Sequence, residues 1–253
     1  MQVHKSYRIW MTQRSGSTLL CEGLSQTGVA GLPGEHFNLM DAKNLREKYG
    51  LETYAELKAE IHRLGTGENG IFGIKHSRHA TIYDGWTDEL RLLQGLDPSA
   101  GDQAVFADLF PNCQHIFLTR RNKIRQAVSW WKAIKDGVWH LKQGENQSFS
   151  EDFWEDNYVP DALTHLYKEI MLKECGIQEY FSRYDIQPLT VVYEDMLDDF
   201  PATIQHILDY LGIEEAPKIV PEKLLARTAN AESEKWVQRF RKDIQEGIGQ
   251  KIW

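Results

Sequence analysis

The sequence predicts an α/β fold of three layers, a mostly parallel sheet with helices on both faces. Short β-forming apolar runs alternate along the chain with longer segments of helical periodicity. Twice, a strand-like run ends in a short basic, hydroxyl-rich turn that opens directly into a helical pattern. The 253 residues, 42% of them hydrophobic, suffice for one large domain with a substantial core, so residues 1–253 are read as a single unit.

In chain order, strands are expected at residues 7–11, 71–75, 115–119 and 189–193, each a β-branched or aromatic run bounded by turn residues. Helices are expected at 18–26, 53–64, 123–135, 162–183, 201–211 and 233–246, where apolar residues recur at helical spacing. Two stretches, 84–102 and 137–160, read as irregular. The second carries Trp139, Phe149, Phe153, Trp154 and Tyr158 and follows the second basic turn. A long loop so placed is expected to be a lid or part of an acceptor pocket, the plain alternative being a solvated surface loop.

The first turn, Gln13-Arg14-Ser15-Gly16-Ser17-Thr18, has the composition of an anion cradle. A helix N-terminus offers unpaired N–H groups and partial positive charge, Gly16 permits close backbone approach, and Arg14 adds a permanent cation. A polar turn with a good helix start is the competing reading of this loop taken alone. The two glycines four residues apart and the lysine of a Walker A loop are missing, which points away from ATP. The second turn repeats the grammar, with Arg121 at a strand end and Ser129 eight residues on, about two helical turns. Arg121 and Ser129 could grip one phosphate together; a solvated basic helix face is the alternative. Both turns lie at carboxyl ends of strands, where open α/β sheets bind nucleotides.

These residues resemble the sulfotransferases that use 3′-phosphoadenosine 5′-phosphosulfate, and within them the bacterial trehalose 2-sulfotransferase type. Residues 13–18 look like that family's 5′-phosphosulfate loop, and Arg121 with Ser129 matches its 3′-phosphate pair. The run 191–196 with 201–211 is similar to the later strand and helix, and 229–241 to the C-terminal segment of the subgroup. The resemblance spans about residues 7 to 241 and implies a P-loop-like fold, a sulfuryl donor held without a metal, and a carbohydrate or glycolipid acceptor, trehalose first. It also implies a homodimer, which the chain itself does not reveal.

The resemblance assigns roles. Arg14 with Ser15, Gly16, Ser17 and Thr18 would bind the donor and stabilise charge on the departing 5′-phosphate. Arg121 and Ser129 would hold the 3′-phosphate, with Arg227 helping from the C-terminal loop. An acceptor hydroxyl must lose its proton during transfer. Glu35, followed by Phe37, matches the Glu-x-Phe base of the trehalose type, while His36 competes as a histidine of suitable pKa. Gln13, Glu35, His36 and Phe37 are therefore the expected acceptor residues. The Gly-rich Arg-Lys-Gly run of other sulfotransferases is absent near the C-terminus. The basic run Lys75-His76-Ser77-Arg78-His79 reads as a strand-end loop that could meet an anionic acceptor.

The net charge of −8 argues against a nucleic-acid partner and makes the basic turns discrete phosphate sites. Cys21, Cys113 and Cys175 have no metal spacing and are expected as reduced thiols, and no signal peptide or membrane span is visible, so a cytoplasmic enzyme is expected. A kinase-like phosphotransferase using ATP and a non-catalytic nucleotide-binding module are the competing functions.

Overall fold

The computed structural model describes residues 2–78, 80–145, 149–226 and 229–248. The elements run β1 (Lys5–Trp10), α1 (Ser17–Gln26), α2 (Leu45–Tyr49), α3 (Tyr54–Gly65), β2 (Ile71–His76), α4 (Ala80–Leu93), α5 (Asp102–Ala107), β3 (Cys113–Thr119), α6 (Lys123–Asp136), α7 (Glu151–Asp156), α8 (Pro160–Arg183), β4 (Leu189–Val192), α9 (Tyr193–Asp198), α10 (Phe200–Tyr210) and α11 (Ala231–Ile248). The strands form one parallel sheet in the order β2-β1-β3-β4, so the α/β class read from the sequence is the fold observed.

Helix starts follow local chemistry. Thr53 and Glu56 close a reciprocal capping box on α3, and the Asn122, Ser150 and Asp199 side chains cap α6, α7 and α10. The buried Glu89 carboxylate accepts from Leu45 N (2.8 Å) and Arg46 N (3.0 Å), tying α4 to the positive end of α2. The stretch 84–102, expected to be irregular, is instead largely α4. Tyr83, Trp86 and Leu90 carry its apolar stripe into the core, and Gly85, which reads as a breaker, faces open space. Likewise α7 interrupts the stretch 137–160.

Strand alternation splits the core in two. Tyr7, Ile9, Ile116, Leu118 and Val191 face α1 and α10, which approach closely because Gly23 offers no Cβ to Phe200. Trp10, Phe72, Ile74 and Phe117 face the other way, toward α3, α4, α5 and the C-terminal half of α8. A third cluster joins α6, α7, α8 and α11 through Val128, Trp154, Leu166, Trp236 and Phe240. Among the described residues no helix is long and apolar enough to cross a membrane.

The second core contains a buried cation. Arg8 Nε donates to His76 Nε2 (3.1 Å), its terminal nitrogens donate to the Tyr180 and Tyr83 hydroxyls (3.3 Å each), and its guanidinium lies 4.4 Å from the Trp10 ring centre. Trp10 Nε1 donates to His115 Nδ1 (2.9 Å). Burial and then the Arg8 charge push the His115 imidazole down to about 3 and His76 well below its ordinary 6.5.

Both histidines are thus neutral in the fold, whereas the unfolded chain protonates them near 6.5. Below that pH the unfolded state binds more protons, so acid favours it. Stability from urea unfolding is expected to be level above pH 6.5 and to fall between there and about 3, by up to ~1.4 kcal/mol per pH unit for His115. The slope should be shallower in His115→Gln.

Candidate functional site

In the order β2-β1-β3-β4 the chain leaves the middle strand β1 on both sides, opening a crevice between the carboxyl ends of β1 and β3. A cleft of ≈ 910 Å³ lies there, lined by Gln13, Arg14, Gly16, Ser17 and Thr18 from the β1–α1 loop and α1, and by Arg120, Arg125, Ser129 and Lys132 from the far side.

The loop is built to present donors. Arg14 (φ 62°) and Gly16 (φ 90°) both adopt the left-handed conformation, and Ser15 N donates to Thr12 O (3.2 Å), which folds the turn tightly. A Cβ at Gly16 would lie 2.3 Å from the Tyr193 ring, so the loop can pack on α9 only through glycine. The first turn of α1 has no carboxylate and no side-chain cap, and the buried Ser15 Oγ has no hydrogen-bond partner among the described residues. Such a helix start favours an anion. Gln126, fully buried on α6, clamps the loop from below by donating Nε2 to Thr12 Oγ1 (2.8 Å) and to the Gln13 carbonyl (2.7 Å).

Arg14 Nε donates to Ser129 Oγ at 3.1 Å and its Nη1 donates to the Trp139 carbonyl. Burial, and next the adjacent Arg120 charge, lower its pKa. Arg120 stacks on Tyr193 (4.8 Å), pairs with Glu194 at 3.7 Å and donates to the Arg14 carbonyl at 3.5 Å. Its neighbour Arg121 behaves differently. The Arg121 guanidinium is exposed, grips Asp195 with two bonds of 2.6 and 2.5 Å, and does not line the cleft. The structure therefore brings Ser129 to Arg14 and sets Arg121 apart from it. Arg227 lies outside the described residues.

Across the cleft, Gly34 bridges Ile74 in parallel and Lys75 N donates to Gly34 O (3.0 Å), which delivers Glu35 to the end of β2. Glu35 Oε1 lies 3.3 Å from Lys75 Nζ, Oε2 accepts from Asn38 Nδ2 (3.2 Å), and the same lysine donates to Thr18 Oγ1 (2.9 Å). The carboxylate is thus oriented and reaches the donor loop through one lysine. Of the four expected acceptor residues, Gln13 and Glu35 line the cleft and the other two do not. Phe37 is buried against Trp86, Phe106 and Phe110, because the turn after Glu35 drives it into the second core. His36 turns back to donate Nε2 to the Leu32 carbonyl at 3.3 Å, and burial lowers its pKa.

Arg125, Lys132, His140 and Leu141 line the cleft beyond the residues singled out from the sequence. Arg125, Ser129 and Lys132 share one stripe of α6 by their i, i+4, i+7 spacing, a signal visible in the sequence. Lys132 is buried and paired with Asp136 at 3.3 Å. Trp139, His140 and Leu141 cover the loop; His140 Nε2 lies 3.5 Å from Thr18 Oγ1, and burial first, then the Arg14 charge, lowers its pKa. This strap is pinned to residues 224–226 by Gln143 N to Leu224 O and Ala226 N to Leu141 O, both 2.9 Å.

A family model, Stf0 sulphotransferase, matches residues 6–243 of this chain. Two curated relatives, each described as trehalose 2-sulfotransferase, are similar along nearly their whole length. One, from Mycobacterium tuberculosis, is 26% identical over 270 residues, 94% of each chain. The other, from Mycolicibacterium smegmatis, is 25% identical over 277 residues, 95% of this chain and 96% of the relative. Among solved structures, a sulfotransferase from Alicyclobacillus acidocaldarius covers 96% of this chain at 14% identity with a TM-score of 0.46.

The glycine requirement separates two effects. Gly16→Ala combines left-handed strain with a clash and is expected to cost ~2–4 kcal/mol in urea unfolding. Gly50→Ala, also left-handed at φ 64° but with open space around it, should cost only ~1–2 kcal/mol.

Proposed function

The chain belongs to the Stf0 sulphotransferase family, and from that premise we propose that it moves a sulfuryl group from 3′-phosphoadenosine 5′-phosphosulfate to a hydroxyl of trehalose or a similar carbohydrate or glycolipid head group. The observation that carries this reading is that one cleft holds both an uncapped helix start, lined by Arg14, Gly16, Ser17 and Thr18, and, bridged to it by Lys75, the Glu35 carboxylate. The first is a cradle for a phosphate or sulfate, the second a base for a hydroxyl.

The donor chemistry fits the residues present. The amides of Ser15 to Thr18, the Ser15, Ser17 and Thr18 hydroxyls and Arg14 would hold the 5′-phosphosulfate; when bound, this donor supplies the sulfuryl group. Arg14 and the helix start stabilise negative charge as it grows on the leaving phosphate. Ser129 holds the 3′-phosphate, joined by Arg121 when its guanidinium exchanges Asp195 for the ligand; Arg125 shares the Ser129 stripe and adds charge. Glu35 takes the acceptor proton, kept in place by Lys75 and Asn38, and Gln13 hydrogen-bonds a sugar hydroxyl. Rate enhancement then comes from positioning and fixed charge, as in phosphoryl transfer. The strap at residues 139–141 closes the acceptor pocket and limits access of water to the transfer.

Calorimetric titration tests the donor site. 3′-Phosphoadenosine 5′-phosphate should bind without metal and more tightly than ADP, with affinity reduced in Arg14→Ala and in Arg121→Ala. Preference for ATP with magnesium would overturn the reading. Glu35→Gln should keep nucleotide affinity while lowering turnover of trehalose by about 10²- to 10⁴-fold, measured by transfer of labelled sulfate.

A further inference from the structure

Gln13 is held by three different groups. Its backbone carbonyl accepts from Gln126 at 2.7 Å, its side-chain Oε1 accepts from Lys173 Nζ at 3.2 Å, and its Nε2 lies 3.5 Å from Ser77 Oγ. Lys173 is buried on α8, packed 4.7 Å from the Trp130 ring centre and 3.5 Å from Glu169. Gln13 lines the cleft, whereas Lys173 is not among the lining residues.

The chemistry of the pair sets the direction of the amide. An ammonium group only donates, so the Gln13 atom that faces Lys173 is the carbonyl oxygen, and the NH2 group is left for Ser77 and the cleft. A glutamine free to rotate would offer either a donor or an acceptor to a sugar hydroxyl. This one is restricted to donating. We propose that Lys173 is a positioning residue that fixes the Gln13 amide with its NH2 toward the acceptor, so that this subsite recognises the lone pair of a sugar oxygen.

The proposal rests on the reading above that the acceptor lies at Gln13. It gives Lys173 a role in acceptor specificity that touches neither donor nor reacting atoms. It also sets Gln13→Glu apart from an ordinary conservative change: the carboxylate keeps the Lys173 contact and the shape of the side chain but loses the donors.

The test measures KM and kcat for trehalose together with the calorimetric affinity for 3′-phosphoadenosine 5′-phosphate in wild type, Lys173→Met, Lys173→Arg and Gln13→Glu. Lys173→Met should raise the acceptor KM roughly fivefold to tenfold, the size of one oriented hydrogen bond, with kcat and nucleotide affinity little changed, and Gln13→Glu should raise it at least as much. Lys173→Arg should restore most of the KM. A wild-type KM in either Lys173→Met or Gln13→Glu, or in Lys173→Met a loss of nucleotide affinity that tracks the rise in KM, would overturn the proposal. Side-chain amide NMR of Gln13 gives a readout independent of turnover. Should wild type transfer sulfate to no sugar, the function above fails, and a Gln13 NH2 signal that moves in Lys173→Met would still support the positioning, while an unmoved one would overturn it.

Discussion

Everything at the site depends on the hydrogen-bonded pairing of β1 with β3 as parallel neighbours, in register from Ser6 opposite Cys113 to Trp10 opposite Phe117. Parallel strands end at the same edge, so the loops that follow them open side by side. α1 leaves toward the face built on Tyr7 and Ile9, while α6 packs against α8, whose C-terminal half lies on the opposite face. The two helices diverge, and the gap between their starts is the cleft. Gln126 fixes its width by binding the first loop with both hydrogens of one buried amide.

The fold was legible where burial imposes a period on the sequence. All four strands and the six longer helices expected from the pattern are present to within a few residues, because each buries one stripe against the sheet or a neighbouring helix. α4 runs into the stretch read as irregular from residue 84, because Tyr83, Trp86 and Leu90 carry a helical stripe across Asp84-Gly85. The left-handed turn and uncapped helix start at residues 13–18 were legible because their chemistry is local.

The surroundings of Glu35 were less legible because its contacts are not local. Glu35 reaches Lys75 through a parallel bridge between Gly34 and Ile74, a pairing that no spacing in the sequence announces. Phe37 follows two residues later yet belongs to the core. Arg120 and Arg121 make the same point just beyond β3, where the strand has ended and each side chain takes its own direction. Arg120 turns inward over Tyr193 toward the loop, and Arg121 turns outward to Asp195. The arginine pair is visible in the sequence, but which member faces the cleft depends on the strand's orientation in the sheet.

The arrangement of charge explains how a chain of net charge −8 can present an anion site. Arg14, Arg120, Arg125 and Lys132 line the cleft against the two carboxylates Glu35 and Glu234. Bringing these cations together costs free energy, and the lowered pKa of Arg14, from burial first and then from Arg120, records that cost. An anion bound among them relieves the repulsion in addition to making its own contacts. A dianionic phosphate gains more than a neutral sugar would, and the gain is larger where water is excluded. The same logic accounts for the placement of Glu35 at the far edge of the cleft with Lys75 between it and Thr18. A carboxylate directly beside an anion bound at the helix start would be repelled, whereas the intervening ammonium screens it while leaving it within the cleft. The half of the cleft at the β1–α1 loop is therefore cationic, the other half carries the Glu35 carboxylate, and Lys75 marks the boundary between them.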